Sequence, residues 1–154
     1  MKHNAEQVWN TCGYVRLSRE DGDKEESNSV TGQKDLIRDY MTRHPELREC
    51  GMKVDDGFTG SNFDRPAFQE MMAEVKAGNI NCIVVKDLSR FGRDHLEAGE
   101  YLERIFPFLG VRFIAINDNY DSLNSNSESD ELIVPFKNLI NEAYCRDTSI
   151  KIRS

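Results

Sequence analysis

The sequence predicts an α/β fold with a mainly parallel sheet and helices on both faces. Short apolar segments rich in β-branched residues alternate with longer segments whose apolar residues recur every three or four positions. The chain of 154 residues is long enough to bury one core. Its 38% hydrophobic and 31% charged residues are typical of a folded globular protein. In such a sheet the carboxyl ends of the parallel strands meet at one edge, where ligands bind.

The element boundaries follow from these periodicities and from turn residues. Strands are expected over residues 11–17, 50–55, 80–86 and 111–117. Helices are expected over about 29–43, 64–78 and 94–109, the second with Asp64 as N-cap and Pro66 in its first turn. Residues 118–130, rich in Ser, Asn and acidic side chains, are expected to form a flexible excursion. The chain then divides into an α/β domain over 1–130 and the start of a long amphipathic C-terminal helix over 131–154.

The composition excludes several classes of protein. A net charge of -7 argues against a bare nucleic-acid-binding domain, although twelve Arg against eight Lys favours bidentate recognition of anions. The four cysteines form no C-x-x-C pair and the three histidines have no ligand spacing, so neither a metal site nor a disulfide framework is predicted. No signal peptide or membrane span is recognisable. We therefore expect a reduced cytoplasmic protein without a cofactor.

The segment after the third predicted strand holds two arginines, Arg90 and Arg93, around Gly92. Guanidiniums at the carboxyl end of a strand, beside the start of a helix, suit a phosphate group. The same two residues could equally be solvated surface arginines next to a capping glycine.

Other polar residues should reach the same edge of the sheet from segments far apart in the sequence. The expected set is Ser18 with Arg16, then Asp56 and Arg65, then Ser89, Arg90 and Arg93. A serine among arginines suits attack on phosphorus, because arginines stabilise the negative charge that develops on the phosphate oxygens. Neither a G-x-S-x-G elbow nor a G-x-x-x-x-G-K-[ST] loop is present, which disfavours acyl transfer and NTP binding. Taken alone, Ser18 is better explained as a cap of a loop or helix.

Four segments together resemble the serine site-specific recombinases of the resolvase/invertase family. They are Tyr14-Val15-Arg16-Leu17-Ser18, Gln33, Asp56…Gly60…Asp64-Arg65, and Asp87-Leu88-Ser89-Arg90-Phe91-Gly92-Arg93. The chain is similar in particular to the catalytic domain of the large serine recombinases of mobile elements. The resemblance implies a catalytic domain of the resolvase type. It also implies that Ser18 is the nucleophile and forms a 5′-phosphoserine link to cleaved DNA, with strand exchange and religation that need neither ATP nor a metal.

The resemblance assigns roles to further residues. It implies that the scissile phosphate is bound by Arg16, Arg65, Arg90 and Arg93, with support from Gln33 and Asp56. The partner would be double-stranded DNA, bound by a homodimer that forms a tetramer in the synaptic complex. Arg146, Lys151 and Arg153 would lie near the DNA backbone, and further DNA-binding domains would follow downstream. Two positions depart from the family pattern. Ser89 stands where resolvases carry Asp, with Asp87 two residues earlier, and the family's Glu-Arg at the start of its last helix has no match here.

A second class of protein stays open on the residues alone. The same arginines could serve a non-enzymatic α/β regulatory or phosphoprotein-binding module as a passive anion clamp. A covalent protein–DNA adduct distinguishes the two.

Overall fold

A computed structural model describes residues 7–17, 29–56, 65–91 and 95–123, and everything below concerns those ranges. The strands are β1 (Trp9–Leu17), β2 (Leu47–Asp56), β3 (Cys82–Val85), β4 (Arg112–Ala115) and β5 (Tyr120–Asp121). The helices are α1 (Val30–Thr42), α2 (Pro66–Lys76), α3 (His95–Glu100) and α4 (Phe106–Leu109). A π-helical turn (Tyr101–Ile105) joins α3 to α4, and short 3₁₀ turns follow β3 (Leu88–Arg90) and β4 (Ile116–Asp118). In this part of the chain no helix is long and apolar enough to cross a membrane.

One sheet carries all five strands, in the order β2-β1-β3-β4-β5. The first four are parallel and β5 is antiparallel to β4. The predicted mainly parallel α/β fold is therefore confirmed, although β5 was not expected. The chain runs from β1 outward to β2 and then crosses back to β3 on the other side of β1. The carboxyl ends of β1 and β3 thus flank the topological switch point, where open α/β sheets bind their ligands.

Two hydrophobic layers cover the sheet, one on each face. On one face α1 packs Ile37 and Met41 against Val15 and Val84. On the other face α2 and the helix running from α3 to α4 enclose an aromatic cluster. Its members are Tyr14, Phe68, Phe91, Phe106 and Phe113. Strands buried on both faces are continuous apolar runs, as in β3 (Cys82–Val85), because neither side of the strand meets water.

The second strand begins three residues earlier than predicted and contains a β-bulge. Thr11 pairs with Glu49 and Gly13 with Met52, so two residues of β2 lie opposite one residue of β1. Gly51, one of the two, has φ of +132°, which strongly favours glycine. The bulge breaks the alternating pattern, which explains why only the second half of the strand was recognisable.

The expectation of a flexible excursion from residue 118 is wrong for residues 118–123. Asp121 pairs with Ile114 in the sheet and its carboxylate binds Arg112 in two places. Ser122 exchanges two hydrogen bonds with Phe113, its N–H donating to the carbonyl and its Oγ accepting from the amide. These contacts with β4 offset the cost of ordering a polar segment. Residues 124–130 and the predicted helix over 131–154 lie outside the described residues.

The predicted helix over 94–109 is confirmed from His95 to Leu109, with one feature that the sequence did not predict. The π-helical turn precedes Pro107, which has no N–H to donate. Phe106 donates to the carbonyl five residues earlier, that of Tyr101. Gly110 then ends the helix in the left-handed conformation, with φ of +73°. We call the whole of His95–Leu109 the α3–α4 helix.

Candidate active site

The Arg90 turn, residues Leu88–Arg90, directly follows the polar end of β3 and is held from three sides. The Asp87 carboxylate accepts hydrogen bonds from the Arg90 amide at 3.2 Å and from the Ser89 hydroxyl at 2.7 Å. Leu88 is fully buried, and its amide donates to Asp118 at 2.8 Å. Asp87 also forms an ion pair with Arg90 at 3.8 Å. Arg90 therefore projects from a rigid turn, and Asp87, whose acidic role was in doubt, caps that turn.

Arg16 reaches the turn from the carboxyl end of β1. Its Nη2 donates to the carbonyl oxygen of Ser89, across the switch point between β1 and β3. On the other side of the sheet edge, the fully buried Gln33 of α1 donates from Nε2 to the Arg16 carbonyl at 3.1 Å. Gln33 thereby fixes the end of β1, so its contact with the site is through the backbone of Arg16.

Arg65 reaches the same turn from the residue before α2. Its Nη2 donates to the Phe91 carbonyl at 3.1 Å, and its Nη1 binds Glu97 of α3 at 2.9 Å. The guanidinium lies over the ring of Phe68, 4.0 Å from the centroid, and the residue is only 8% exposed. Stacking on an aromatic face and a carboxylate partner together allow a buried guanidinium to stay charged.

The three guanidiniums therefore meet at one turn. Arg16 binds the carbonyl that precedes Arg90 and Arg65 binds the carbonyl of the residue that follows it. The residues predicted as a site and brought together here are Arg16, Gln33, Arg65 and Arg90. Asp56 ends β2, at the same edge of the sheet. Ser18, Arg93, Arg146, Lys151 and Arg153 lie outside the described residues, as do the side-chain contacts of Asp56.

One residue of the site was missed by sequence reasoning. Asp55 is 5% exposed and accepts hydrogen bonds from the Tyr14 hydroxyl at 2.7 Å and from the amides of Ala67 and Phe68, each at 3.0 Å. It therefore caps α2 from the end of β2. The expected N-cap, Asp64, lies outside the described residues, and Arg65 occupies the N-cap position without a capping side-chain bond.

A signal for this role did exist in the sequence. In a strand, successive side chains point to opposite faces, so only one member of the Asp55-Asp56 pair can face α2. Sequence alone does not say which.

The ionisable groups around Arg65 stay in the protonation states that these bonds require. Burial raises the pKa of the Tyr14 phenol, and the nearby positive charge of Arg65 offsets only part of that effect. Tyr14 is therefore a neutral donor to Asp55. Burial, and to a lesser extent the charge of Glu97, likewise raises the pKa of Tyr101.

Not every donor at this edge is used within the protein. The Nε of Arg16 and the Nε of Arg65 are buried and have no hydrogen-bond partner among the described residues. A guanidinium carries five N–H donors, and buried polar groups are normally satisfied. Guanidiniums gathered at the switch point of a parallel sheet, with donors to spare, define a class of domain suited to an anionic phosphate.

Comparison with known proteins identifies the family. The family model "Resolvase, N terminal domain" matches residues 11–154, and the chain belongs to that family. The predicted resemblance is thus confirmed. So are the predicted class and function, which are those of a serine recombinase catalytic domain acting in site-specific DNA recombination, and the non-enzymatic alternative is not favoured.

Solved structures share the fold. The N-terminal catalytic domain of TP901-1 integrase has a TM-score of 0.68 at 22% identity, covering 91% of this chain and 98% of that one. A resolvase family site-specific recombinase from Streptococcus pneumoniae has a TM-score of 0.66 at 24% identity, covering 94% and 92%. The C-terminal catalytic domain of ISC1926 TnpA, an IS607-like serine recombinase, has a TM-score of 0.55 at 19% identity, covering 69% and 66%.

Proposed function

We propose that Ser18 is the nucleophile of this recombinase domain. Its hydroxyl oxygen attacks the phosphorus of a DNA phosphodiester and displaces the 3′ oxygen, which leaves a 5′-phosphoserine link. The serine loses a proton and the leaving 3′ oxygen gains one. Attack of a 3′ hydroxyl from another strand on the same phosphorus reverses the step and joins the strands. One ester bond replaces another at each stage, so the reaction consumes neither ATP nor an oxidant.

The observation that carries this proposal is the position of the three guanidiniums. Arg16 and Arg65 donate to the carbonyls on either side of Arg90, and Arg16 precedes Ser18 by two residues on β1. Fixed donors aimed at developing charge stabilise a transition state more than a ground state, since they need not reorganise during the reaction. The five-coordinate phosphorus of phosphoryl transfer spreads its charge over oxygens that such donors can bind.

The contacts of each arginine support different roles within the group. Arg16 is half-buried and binds the protein through Nη2, which leaves the rest of its fork for a phosphate. Arg90 lies on the capped turn, and we assign it, with Arg93, to the nonbridging oxygens. Arg65 has both terminal nitrogens engaged with protein acceptors, so in this conformation it supplies positive potential and holds the turn. Gln33 fixes the end of β1, and Asp56 is assigned a supporting role.

The wider assembly is also part of the proposal. Residues 1–130 would form the catalytic domain and residues 131–154 the start of a helix that joins subunits and approaches DNA, with Arg146, Lys151 and Arg153 near its backbone. The active species would be a homodimer on each recombination site and a tetramer in the synaptic complex, working in the cytoplasm without a metal or cofactor.

The test is covalent capture on DNA. The gene product that contains this chain is incubated with a nicked substrate that traps the cleaved state, with and without EDTA. We expect an adduct from the unaltered protein in both conditions and none from Ser18→Ala. Ser29→Ala is the matched control. Ser29 accepts from the Gly32 amide as the N-cap of α1, so its loss should cost about 1 kcal/mol of stability and leave the adduct intact.

Two results would contradict the mechanism. One is an adduct that survives in Ser18→Ala, and the other is loss of the unaltered protein's activity in EDTA. Phosphate-dependent binding without any adduct would instead support a passive clamp.

A further inference from the structure

The outward face of the α3–α4 helix carries a regular row of four side chains. We call this row the outward stripe, and it consists of Leu96, Glu100, Arg104 and Phe108, each four residues from the next. Leu96 is 74% exposed and Phe108 is 88% exposed, the two highest values among the described large apolar residues. The side chains of Glu100 and Arg104 are 53% and 77% exposed. Nothing in the proposed chemistry uses this face.

The π-helical turn keeps the row straight. In a regular α-helix each step of four residues turns by about 40°, so three steps would turn by about 120° and the ends would face different directions. A π-helical turn holds more residues per turn, which removes much of that rotation. The opposite side shows the same alignment, since Ala98, Leu102 and Phe106, also four apart, are all buried. The stripe therefore faces away from the core along its whole length.

The order of the four side chains is apolar, acidic, basic, apolar. A two-fold axis between Glu100 and Arg104 would place Leu96 of one chain against Phe108 of a second copy. The same axis would place each Glu100 against an Arg104 of the other copy. An isologous interface has this property, because one patch must be complementary to itself. Within one chain the two charges lie 3.8 Å apart and are well exposed, which gives such a pair little stabilising effect.

We infer that the outward stripe is a contact surface between two antiparallel copies of the α3–α4 helix. A second copy is the occupant that the charge order selects, since it satisfies both charges and covers both apolar ends at once. The surface offered by one helix face is small compared with the roughly 800 Å² per partner of a standard interface. The association should therefore be weak by itself and act together with other contacts in an oligomer. It does not depend on the chemistry at Ser18.

The apolar ends are tested by sedimentation of the whole chain over a concentration series reaching about 1 mM, a range that suits a weak interface. We expect reversible self-association by the unaltered chain. Phe108→Ser should weaken it about tenfold, the effect of losing a few tens of Å² of apolar contact. Leu123→Ser is the matched control, because Leu123 is 43% exposed and lies off the stripe.

The charged centre allows a sharper test, by mixing two variants. Glu100→Arg and Arg104→Glu should each associate more weakly than the unaltered chain, since like charges then face each other across the axis. An equimolar mixture should associate more strongly than either variant alone, because one chain presents two positive charges to two negative charges. The effect should shrink as salt rises.

The mixture separates an interface from a role within one helix. In both variants the pair at spacing four carries like charges, and mixing does not change that. Rescue on mixing therefore supports contact between chains. A monomeric unaltered chain at about 1 mM, unchanged association in Phe108→Ser, or a mixture no stronger than its components would each overturn the inference. A loss of thermal stability without a change in association would mean that the chain covers the stripe itself, which also overturns it.

Discussion

Two buried arginines at opposite edges of the sheet show how differently the same side chain is used. Arg90 stands at the carboxyl edge and is 9% exposed, and Arg112 begins β4 at the amino edge and is 6% exposed. Both carry a full positive charge out of water, which is costly without partners. Burial and residue type do not separate them. The nature of their partners does.

At the amino edge every interaction neutralises the charge. Arg112 binds Asp121 through Nε at 3.1 Å and Nη2 at 2.7 Å, and Glu46 through Nη1 at 3.4 Å. Its guanidinium also lies 5.6 Å from the ring centroid of Trp9. Burial alone would lower the pKa of Arg112, but the bond to Asp121 outweighs it and the pKa is raised. Two carboxylates around one guanidinium form a structural bond between β2, β4 and β5.

At the carboxyl edge backbone carbonyls take the place of several carboxylates. Arg16 donates to Ser89 and Arg65 donates to Phe91, contacts that hold position and leave the positive charge uncompensated. Two buried Nε groups there have no partner among the described residues. The comparison teaches that the partner chemistry of an arginine, more than its burial, distinguishes a structural ion pair from a phosphate site.

Arg90→Lys should break the catalytic side of the comparison and have the largest effect. Lysine keeps the charge but cannot supply two parallel hydrogen bonds to phosphate oxygens. We expect cleavage to fall by about 100- to 1000-fold, the usual effect of removing one preorganised donor. The rate of adduct formation on a nicked substrate measures it, with thermal unfolding as the check on the fold. Near-normal cleavage would mean that positive potential alone suffices.

Arg112→Met should break the structural side. The change leaves Asp121 and Glu46 without their cation, and we expect a loss of about 3 kcal/mol in the free energy of unfolding. This is the low end for a buried pair, because Glu46 is one-third exposed. Urea denaturation measures the loss. Cleavage per folded molecule should be unchanged, and a selective loss of cleavage would place Arg112 in the active site after all.

Asp55→Asn sharpens the account of the carboxyl edge. The amide keeps one acceptor but loses the charge that faces two helix amides and the Tyr14 hydroxyl, so stability should fall by about 1–2 kcal/mol. Asp56→Asn, at the next position, is the matched control and should alter stability by less than about 0.5 kcal/mol. Denaturation of the pair measures both. Equal losses would show that the capping role is shared.

Glu97→Gln should have the smallest effect and a positive one. The variant keeps an acceptor for Arg65 but removes the negative charge 2.9 Å from its Nη1. We expect DNA affinity to rise two- to threefold at low salt, as for roughly a third to a half of a 1.4 kcal/mol step, and the gain to vanish at high salt. Glu103→Gln on the same helix removes the same net charge at an exposed position. Equal gains in both variants would reduce the effect to net charge.

Much of the fold was predictable because its signals are local. Amphipathic spacing in Val30–Thr42 and Pro66–Lys76 and the apolar run of β3 depend on neighbours within a few residues. Parallel strands then require crossovers, so the convergence of Arg16, Arg65 and Arg90 followed from the order of elements. The motif around Arg90 was also visible as a contiguous segment, and the family match agrees with it.

The sequence by itself therefore determined the α/β class, the order of elements, the family and the arginines that meet at one edge. Only the tertiary structure decided that Asp55 caps α2, that residues 118–123 pair with β4, and that Arg112 is structural. Each of these rests on a partner at least nine positions away, and the Glu46 contact of Arg112 spans 66 positions. A side chain's partners at that range depend on how strands are ordered and in which register they pair, and residue periodicity carries neither.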